Sequence, residues 1–334
     1  MKKDGAKNNN KKYTFIDLFA GIGGFRLAFE QLNGACVFTS EIEEECAKTY
    51  EVNFGEYPAG DITKIDPKSI PNHDILCGGF PCQPFSISGR MKGFEDTRGT
   101  LFFNILEIIR NKNPKVVFLE NVKHLKDHDG KRTLKTLIGH LEELGYKTEW
   151  NILNAKDFGL AQNRERLIII GNKDKRFDFS KITKTKSKAI RDILEKNANF
   201  EYLKPEDYTI LPKDQWRQQK SGLIFCGYRN KSIRVSGTRP NTKHLSRVHK
   251  QPNRIYYIDG THPTIPSQET SGRFWIYDGE EVRKLTLNEC FRLQGFPDNF
   301  KKISSVGSCY NQIGNAVAVP MIKEVGKQIL TQLI

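Results

Sequence analysis

The sequence predicts an α/β protein: a doubly wound, mostly parallel sheet joined to a smaller, irregular, β-rich domain. Three observations carry this. Residues 13 to 172 alternate short apolar runs with segments of helical spacing, a rhythm that implies right-handed crossovers between parallel strands. A glycine turn, Gly21-x-Gly23-Gly24, joins the first apolar run to the first helical segment. From residue 173 to about 281 the rhythm stops, and Gly222, Gly227, Gly237, Pro240, Pro252, Gly260, Pro263, Pro266 and Gly272 break up a lysine-rich stretch.

The elements follow in order. Tyr13 to Phe19 is a strand ending at the glycine turn, and Phe25 to Leu32 is a helix. Cys36 to Ser40 is a second strand, closed by Glu41; Glu43 to Asn53 is helical; Asp74 to Cys77 is a third strand. Leu101 to Lys112 has helical spacing at Leu101, Ile105, Ile108 and Ile109. Val116 to Leu119 is a buried strand, Thr133 to Leu144 a helix, and Leu167 to Ile170 a strand. Helical periodicity returns at Leu285 to Leu293 and at Val319 to Leu333, and the last helix is expected to pack back on the first domain. The expected division is a disordered basic tail at 1–12, a catalytic domain at 13–172 plus 305–334, and a second domain at 173–304 with its hinge near 283–304.

Composition narrows the function. Fifty-three Lys and Arg against 39 Asp and Glu give a net charge of +14, which favours a polyanionic partner through counterion release. The excess is concentrated. Lys213, Arg217, Lys220, Arg229, Lys231, Arg234, Arg239, Lys243, Arg247, Lys250 and Arg254 face a single acid, Asp214, with Trp216, Phe225, Tyr228, His244 and His249 between them. That mixture suits gripping phosphates and reading base edges. The seven cysteines form no Cys-x-x-Cys pair, so neither a disulfide framework nor a metal site is indicated, and a reducing cytoplasm is expected. No signal or membrane-spanning segment is legible.

Two constellations carry chemistry. Gly21, Ile22, Gly23 and Gly24 form a Rossmann-type cofactor loop, and Glu41 stands where an acid for ribose hydroxyls is expected. Asp61, in a Gly60-Asp61-Ile62 turn, suits the exocyclic amine of adenine. Asp17 on the first strand is unfavourable beside a pyrophosphate, so an adenosine cofactor without phosphates, S-adenosylmethionine, fits better. The second constellation centres on Gly78-Gly-Phe-Pro-Cys-Gln-Pro-Phe-Ser86, where Cys82 follows Pro81 at the mouth of a strand. A thiolate nucleophile needs an acid to receive the charge it pushes into the substrate, and cations to hold that substrate. Glu120 is the candidate acid, its pKa expected to rise on burial. Arg164 and Arg166 alternate on a strand, so both point one way and Glu165 the other.

With these residues in place the chain resembles the DNA (cytosine-5) methyltransferases, bacterial restriction-modification type, from Thr14 to the C-terminal helix apart from the middle region. The matching motifs are Phe15-Ile-Asp-Leu-Phe-Ala-Gly-Ile-Gly-Gly24, Gly79-Phe-Pro-Cys-Gln83, Glu120-Asn-Val122, Gln162-Asn-Arg-Glu-Arg166, Arg292-Leu-Gln-Gly-Phe-Pro297 and Gln312-Ile-Gly-Asn-Ala316. The resemblance implies a Rossmann-like S-adenosylmethionine-dependent methyltransferase sheet with a target-recognition domain. It also implies a cytosine extruded from double-stranded DNA, attacked at C6 by Cys82 while Glu120 holds N3 and the amine. Arg166 would bind the base carbonyl, and Arg164 would help hold the backbone and pocket. Phe15, Asp17, Ile42, Ile62, Pro81 and Asn315 join the cofactor site. Position 42 departs from relatives that carry tryptophan there, which puts ring stacking in doubt.

The same resemblance makes Pro81 to Gly99 a loop closing over the base, with Ser86, Ser88 and Arg98 at the DNA. Target reading is expected in Gly222 to Gly279, through Arg229, Arg234, Arg239, Arg247, Arg254 and Gln268. A cytoplasmic, nucleoid-associated monomer paired with a restriction endonuclease completes the expectation. Two rivals stay open on sequence alone: a tRNA cytosine-5 methyltransferase of the same fold, against which the long basic segment argues, and a catalytically inactive DNA-binding module.

Overall fold

β1 (Tyr13–Leu18), the glycine turn and α1 (Gly24–Glu30) begin the first of two units into which the chain divides. The structure is a computed structural model and describes residues 13–81, 101–230, 253–267 and 274–334; the expected tail lies outside them. β2 (Gly34–Ser40), α2 (Glu44–Phe54), β3 (Ile75–Gly79), α3 (Leu101–Lys112), β4 (Val116–Val122), α4 (Arg132–Glu143) and β5 (Lys147–Asn154) follow. After the two-residue strand β6 (Gln162–Asn163) comes β7 (Glu165–Asn172). One sheet runs in the order β2-β1-β3-β4-β7-β5. β1 is parallel to β2 and β3, and β3 to β4, whereas β7 is antiparallel to β4. The sheet is thus mixed α/β and mostly parallel.

Burial on both faces explains the continuous apolar runs. Val116, Val117, Phe118 and Leu119 are all 0 % exposed. One face of the sheet, carrying Ile16, Leu18, Leu76, Val117 and Leu119, packs on Ile105, Leu106 and Ile109 of α3 and on Leu134, Leu137 and Leu141 of α4. On the other face Phe118 meets Phe25 of α1 edge to face, ring centroids 5.1 Å apart. The last helix, α7 (Val319–Gln332), closes this side: a Cβ on Gly326 would stand 3.0 Å from Leu32 and 3.2 Å from the Phe29 ring.

The second unit holds β8 (Tyr208–Ile210), β9 (Arg217–Gln218), β10 (Ile224–Arg229), β11 (Arg254–Tyr257), β12 (His262–Pro263), β13 (Trp275–Tyr277) and β14 (Val282–Lys284). Their sheet runs β14-β13-β11-β10-β8, with β9 on β10, while β12 pairs with β6. Cys226, Ile255, Trp275 and Val282 form its small core. α5 (Leu287–Leu293) starts with a capping box between Thr286 and Glu289, and α6 (Val306–Asn315) is capped by Ser305.

The division differs from the expected one at three places. Met1–Leu153, Glu165–Thr183 and Met321–Ile334 form one unit, and Asn154–Arg164 with Lys184–Pro320 the other. Residues 154–164 leave the first unit because β6 pairs in parallel with β12. Residues 173–183 stay with it: the Asp178 and Thr183 amides donate to the side chains of Gln332 and Glu324 on α7. Residues 305–320 go to the second unit because Val319 N–H donates to the Gln294 carbonyl. Among the described residues no helix is long and apolar enough to cross a membrane.

Candidate active site

The C-terminal ends of the parallel strands carry the residues of interest, as expected for a doubly wound sheet. At the end of β1 the backbone turns through Phe19 (φ 56°), Gly21 (φ 55°) and Gly23 (φ 84°) into α1. The two glycines are required for different reasons. A Cβ at Gly21 would meet nothing within 4 Å, so its left-handed backbone borders open space; a Cβ at Gly23 would stand 2.3 Å from the Phe54 ring. Gly23 therefore lets α2 pack, and Gly21 leaves room for a ligand.

Glu41 ties this turn to the end of β2. Its Oε2 accepts from Gly21 N–H at 2.7 Å and its Oε1 from Glu43 N–H at 2.8 Å. Burial raises its pKa above the usual range while these two amides pull against that. Beside it Ile42 is 66 % exposed, an apolar side chain offered to whatever lies over the strand ends. Asp61 caps the short helical turn Ile62–Lys64, its Oδ1 accepting from Thr63 N and Oγ1 at 3.0 and 2.8 Å. Those bonds hold its carboxyl below the usual range, and neighbouring Gly60 (φ 77°) also borders open space. Ile62 is nearly buried and Pro81 exposed.

Two sequence assignments are corrected. Phe15 is 0 % exposed and packs on Phe29 at 5.2 Å, so it is a core residue rather than a ligand contact. Asp17 is 0 % exposed as well; its Oδ2 accepts from Arg26 N–H at 3.2 Å, and burial pushes its carboxyl up to about 8. It braces the first turn of α1 from below. Ile22, 1 % exposed, and buried Gly24 have only backbone to offer. Phe19 was missed: half-buried at the turn itself, it is a non-glycine residue in a left-handed conformation, a strain that gathers at functional sites.

Glu120 lies at the end of β4 opposite Ile168 of β7, with Arg166 two residues along on the same face. The Arg166 Nε is 2.9 Å from Glu120 Oε1, with both side chains about nine-tenths buried (11 % and 10 % exposed). The burial expected of Glu120 is present, and the structure adds a guanidinium as its partner. Burial lowers the Arg166 pKa, against the pull of Glu120. Glu165 points the other way, to Lys123 at the surface.

Arg164 belongs to the second unit. It is 1 % exposed, and its Nη2 donates to the carbonyls of Gly314 and Ala316 at 2.9 and 2.8 Å. Within that unit it holds backbone, in keeping with the role expected of it. Gln162 and Gln294 complete that arrangement. The Gln162 side chain donates to the Leu293 carbonyl and accepts from Ile265 N–H. Gln294 donates to the carbonyls of Ile313 and Ala316. Three sequence motifs thus meet in one buried network, and Gly314 is fixed there because a Cβ would stand 2.3 Å from the Pro266 carbonyl. Asn315, at the end of α6, is exposed and donates to Asn311.

Of the expected DNA contacts, Arg229 and Arg254 flank the connection between β10 and β11. Arg229 stacks over Trp275 at 5.2 Å and Arg254 over Phe225 at 5.8 Å. Cys82, Ser86, Ser88, Arg98, Arg234, Arg239, Arg247 and Gln268 lie outside the described residues. Among the described residues no group of three His, Cys, Asp or Glu is placed to hold a metal ion.

Comparison with known proteins gives a consistent result. The family model for C-5 cytosine-specific DNA methylase matches residues 13–331. The type II methyltransferase M.HpaII of Haemophilus parainfluenzae is 45% identical over 98% of this chain and 91% of its own length. M.HhaI of Haemophilus parahaemolyticus is 39% identical over 96% and 94%. Among solved structures the S. pombe Dnmt2 methyltransferase shares the fold, with a TM-score of 0.68 at 20% identity over 97% of this chain and 100% of that one. Similarity of that extent, running through both units, makes the chain a member of the C-5 cytosine-specific DNA methylase family and a DNA (cytosine-5-)-methyltransferase of the type II restriction-modification type.

Proposed function

We propose that this enzyme methylates C5 of a cytosine extruded from a short specific site in double-stranded DNA, using S-adenosylmethionine and a covalent bond between Cys82 and C6. The observation that carries the reading is the buried Glu120–Arg166 pair at the end of β4; in the sequence Cys82 comes three residues after the neighbouring strand β3.

The strand ends suit the cofactor. Gly21 and Gly60 border open space, Glu41 presents a carboxylate at its rim, Ile42 offers an apolar face, and Asp61 Oδ2 lies 3.6 Å from Lys64 Nζ. Glu41 would take the ribose hydroxyls, Asp61 the adenine amine and Ile42 the ring face. When bound, S-adenosylmethionine supplies the methyl group that C5 receives.

The protein's own part is acid catalysis and positioning. The Cys82 thiolate forms the bond to C6, the electron pair of C5=C6 moves into the ring, and Glu120 in its acid form gives its proton to N3. Arg166 holds the Glu120 carboxyl in place and reaches the base carbonyl. As C5 takes the methyl group, N3 returns its proton to Glu120, and loss of the C5 proton to solvent then re-forms C5=C6 and expels the thiolate. The second unit chooses the site, through Arg229 and Arg254 and through Arg234, Arg239, Arg247 and Gln268. Ser86, Ser88 and Arg98 act in the loop over the base. The enzyme works as a cytoplasmic monomer paired with a restriction endonuclease.

Incubation with duplex DNA and methyl-labelled cofactor, followed by digestion to nucleosides, should place all label in 5-methyldeoxycytidine. Label in an amino-methylated base, or incorporation into tRNA alone, would overturn the reading. A peptide map of the adduct formed on 5-fluorocytosine DNA should identify Cys82, and an adduct on Cys77 would show the wrong thiol had been chosen.

A further inference from the structure

Arg26 lies in the first turn of α1, just past the glycine turn, and the core encloses it: the residue is 8 % exposed. Its backbone N–H donates to Asp17, its Nε to Glu30 Oε1 at 2.9 Å, and its Nη1 to Tyr50 Oη at 3.0 Å and Glu56 Oε2 at 2.8 Å. Its Cζ lies over the Phe54 and Tyr50 rings, 4.9 and 5.3 Å from their centroids. Two arms run from this cation to one stretch of chain. The direct arm ends on Glu56, just past α2. The other passes from Tyr50 Oη to Thr39 Oγ1 at 2.7 Å, and the Thr39 carbonyl accepts from Ala59 N–H at 2.8 Å. Gly55 (φ 72°) and Gly60 (φ 77°) turn the backbone on either side of that stretch, and the next residue is Asp61. Enclosing a cation costs desolvation, and apolar residues of similar volume often serve stability as well or better. What a guanidinium adds is direction, because its donors leave in a rigid fork.

We propose that Arg26 is a positioning residue for the cofactor half of the site. By holding the stretch from Glu56 to Ala59 against α1 and the end of β2, it sets where Asp61 stands relative to the Gly21 turn and Glu41. The proposal rests on Asp61 taking the adenine amine. Glu41 is tied to the glycine turn by its own bond to Gly21 N–H. The Asp61 carboxylate instead bonds forward, to Thr63 and Lys64 in its own turn. Its place relative to the glycine turn is therefore inherited from the residues before it, and those are the ones the two arms hold.

The test measures S-adenosylmethionine affinity by calorimetry in Glu56→Gln, which breaks the direct arm, and in Tyr50→Phe, which breaks the other. Each should weaken binding about two- to fivefold, the scale of one partly exposed ion pair. Arg26→Lys keeps the charge without the fork and should lose as much as the two together. KM for the cofactor should rise while kcat at saturating cofactor holds, and amide exchange from Ala59 to Thr63 in the cofactor-free protein should quicken. Beside Asp61→Ala the same substitutions should cost nothing further, because the group they position is gone. A merely structural role would lower the melting temperature and keep its full penalty in that background. Wild-type affinity in both Glu56→Gln and Tyr50→Phe, or losses that persist in full beside Asp61→Ala, would overturn the proposal. If Tyr50→Phe melts early, Glu56→Gln carries the comparison, since the Glu56 side chain is 43 % exposed. Asp61→Ala keeps the two readings apart. Wild-type affinity in that variant overturns the assignment of Asp61 and the proposal with it, whereas a weakened Asp61→Ala beside additive arm variants overturns only the role of Arg26.

Discussion

Glu120 and Arg166 hold each other in a place neither occupies cheaply alone, since each is about nine-tenths buried. Removing one partner of a buried pair costs about 3–5 kcal/mol, because the other charge is left uncompensated. Arg166→Ala should therefore both lower the melting temperature and abolish methyl transfer. Glu120→Gln keeps the shape and a hydrogen-bonding oxygen, so it should bind cofactor normally while the chemical step slows about 10²–10⁴-fold; a calorimetric Kd and single-turnover rates separate the two effects. Asp17 gives a prediction of a different kind. Its folded-state pKa, about 8, lies above the roughly 3.9 of an unfolded aspartate. Between those values the native state keeps a proton that the unfolded chain has released, so the stability this group contributes is full below about pH 4 and declines as pH rises towards 8. Urea melts from pH 4.5 to 8.5 should show that decline, flattened in Asp17→Asn; an unchanged slope in the variant would remove Asp17 as its cause. These residues also mark how far the sequence was legible. The motifs and their spacing were enough to single out Glu120, Arg166 and Glu41, which the fold sets at strand ends, the first two paired and the third on the glycine turn. That Asp17 and Phe15 belong to the core was not legible, because β1 is covered on both faces and only the partner helix decides what each side chain meets.

At the scale of elements the glycine turn separates two demands that look identical in sequence. Gly21→Ala should fold, with about 1–2 kcal/mol of left-handed backbone strain, and lose cofactor affinity, because its methyl points into the open space. Gly23→Ala adds to the same strain a collision with the Phe54 ring, itself stacked on Tyr50 at 4.6 Å. It should lose stability first, and Phe54→Ala in the same chain should restore part of it; thermal melts of the three variants decide. The parallel strands were legible because burial on both faces forces unbroken apolar runs. β5 was not, since its Lys147-Thr-Glu-Trp-Asn-Ile-Leu-Asn154 is half exposed at the sheet's edge and alternates weakly. α6 was hidden for a similar reason, its Val306-Gly-Ser-Cys-Tyr-Asn-Gln-Ile-Gly-Asn315 carrying two glycines that read as turn. Packing overrides propensity there, with Gly314 held against the Pro266 carbonyl.

For the whole molecule, the two units predict a division of labour that salt and substitution can separate. Replacing an Arg that reads guanine should cost about 1–3 kcal/mol at one base position, while replacing a phosphate contact should weaken all sites alike and lower the salt slope by about one. Arg229→Ala and Arg254→Ala, assayed on a panel of sites at several salt concentrations, sort these two residues. The sequence placed the unit boundaries imperfectly because a pairing as short as β6 with β12, two residues each, leaves no periodic signal. The chain crosses between units four times, the last time just before Met321, and this has a consequence for how the enzyme is made. Met321, Ile322, Val325 and Ile329 of α7 are each buried to 2 % exposure or less. At about 1.5–3 kcal/mol apiece they contribute as much as the entire net stability of many domains, about 5–15 kcal/mol. A chain ending at Pro320 should therefore expose Phe29 and Leu32 and fail to melt cooperatively. On the ribosome, β7 is complete at Asn172 and α7 arrives last, about 8–30 s later at 5–20 residues per second. Through that interval the strands of the catalytic sheet have been made but lack their last cover, while the unit proposed to choose the DNA site is complete in sequence at Pro320. Translation order alone thus makes the first unit, begun at the N-terminus, the last to be completed.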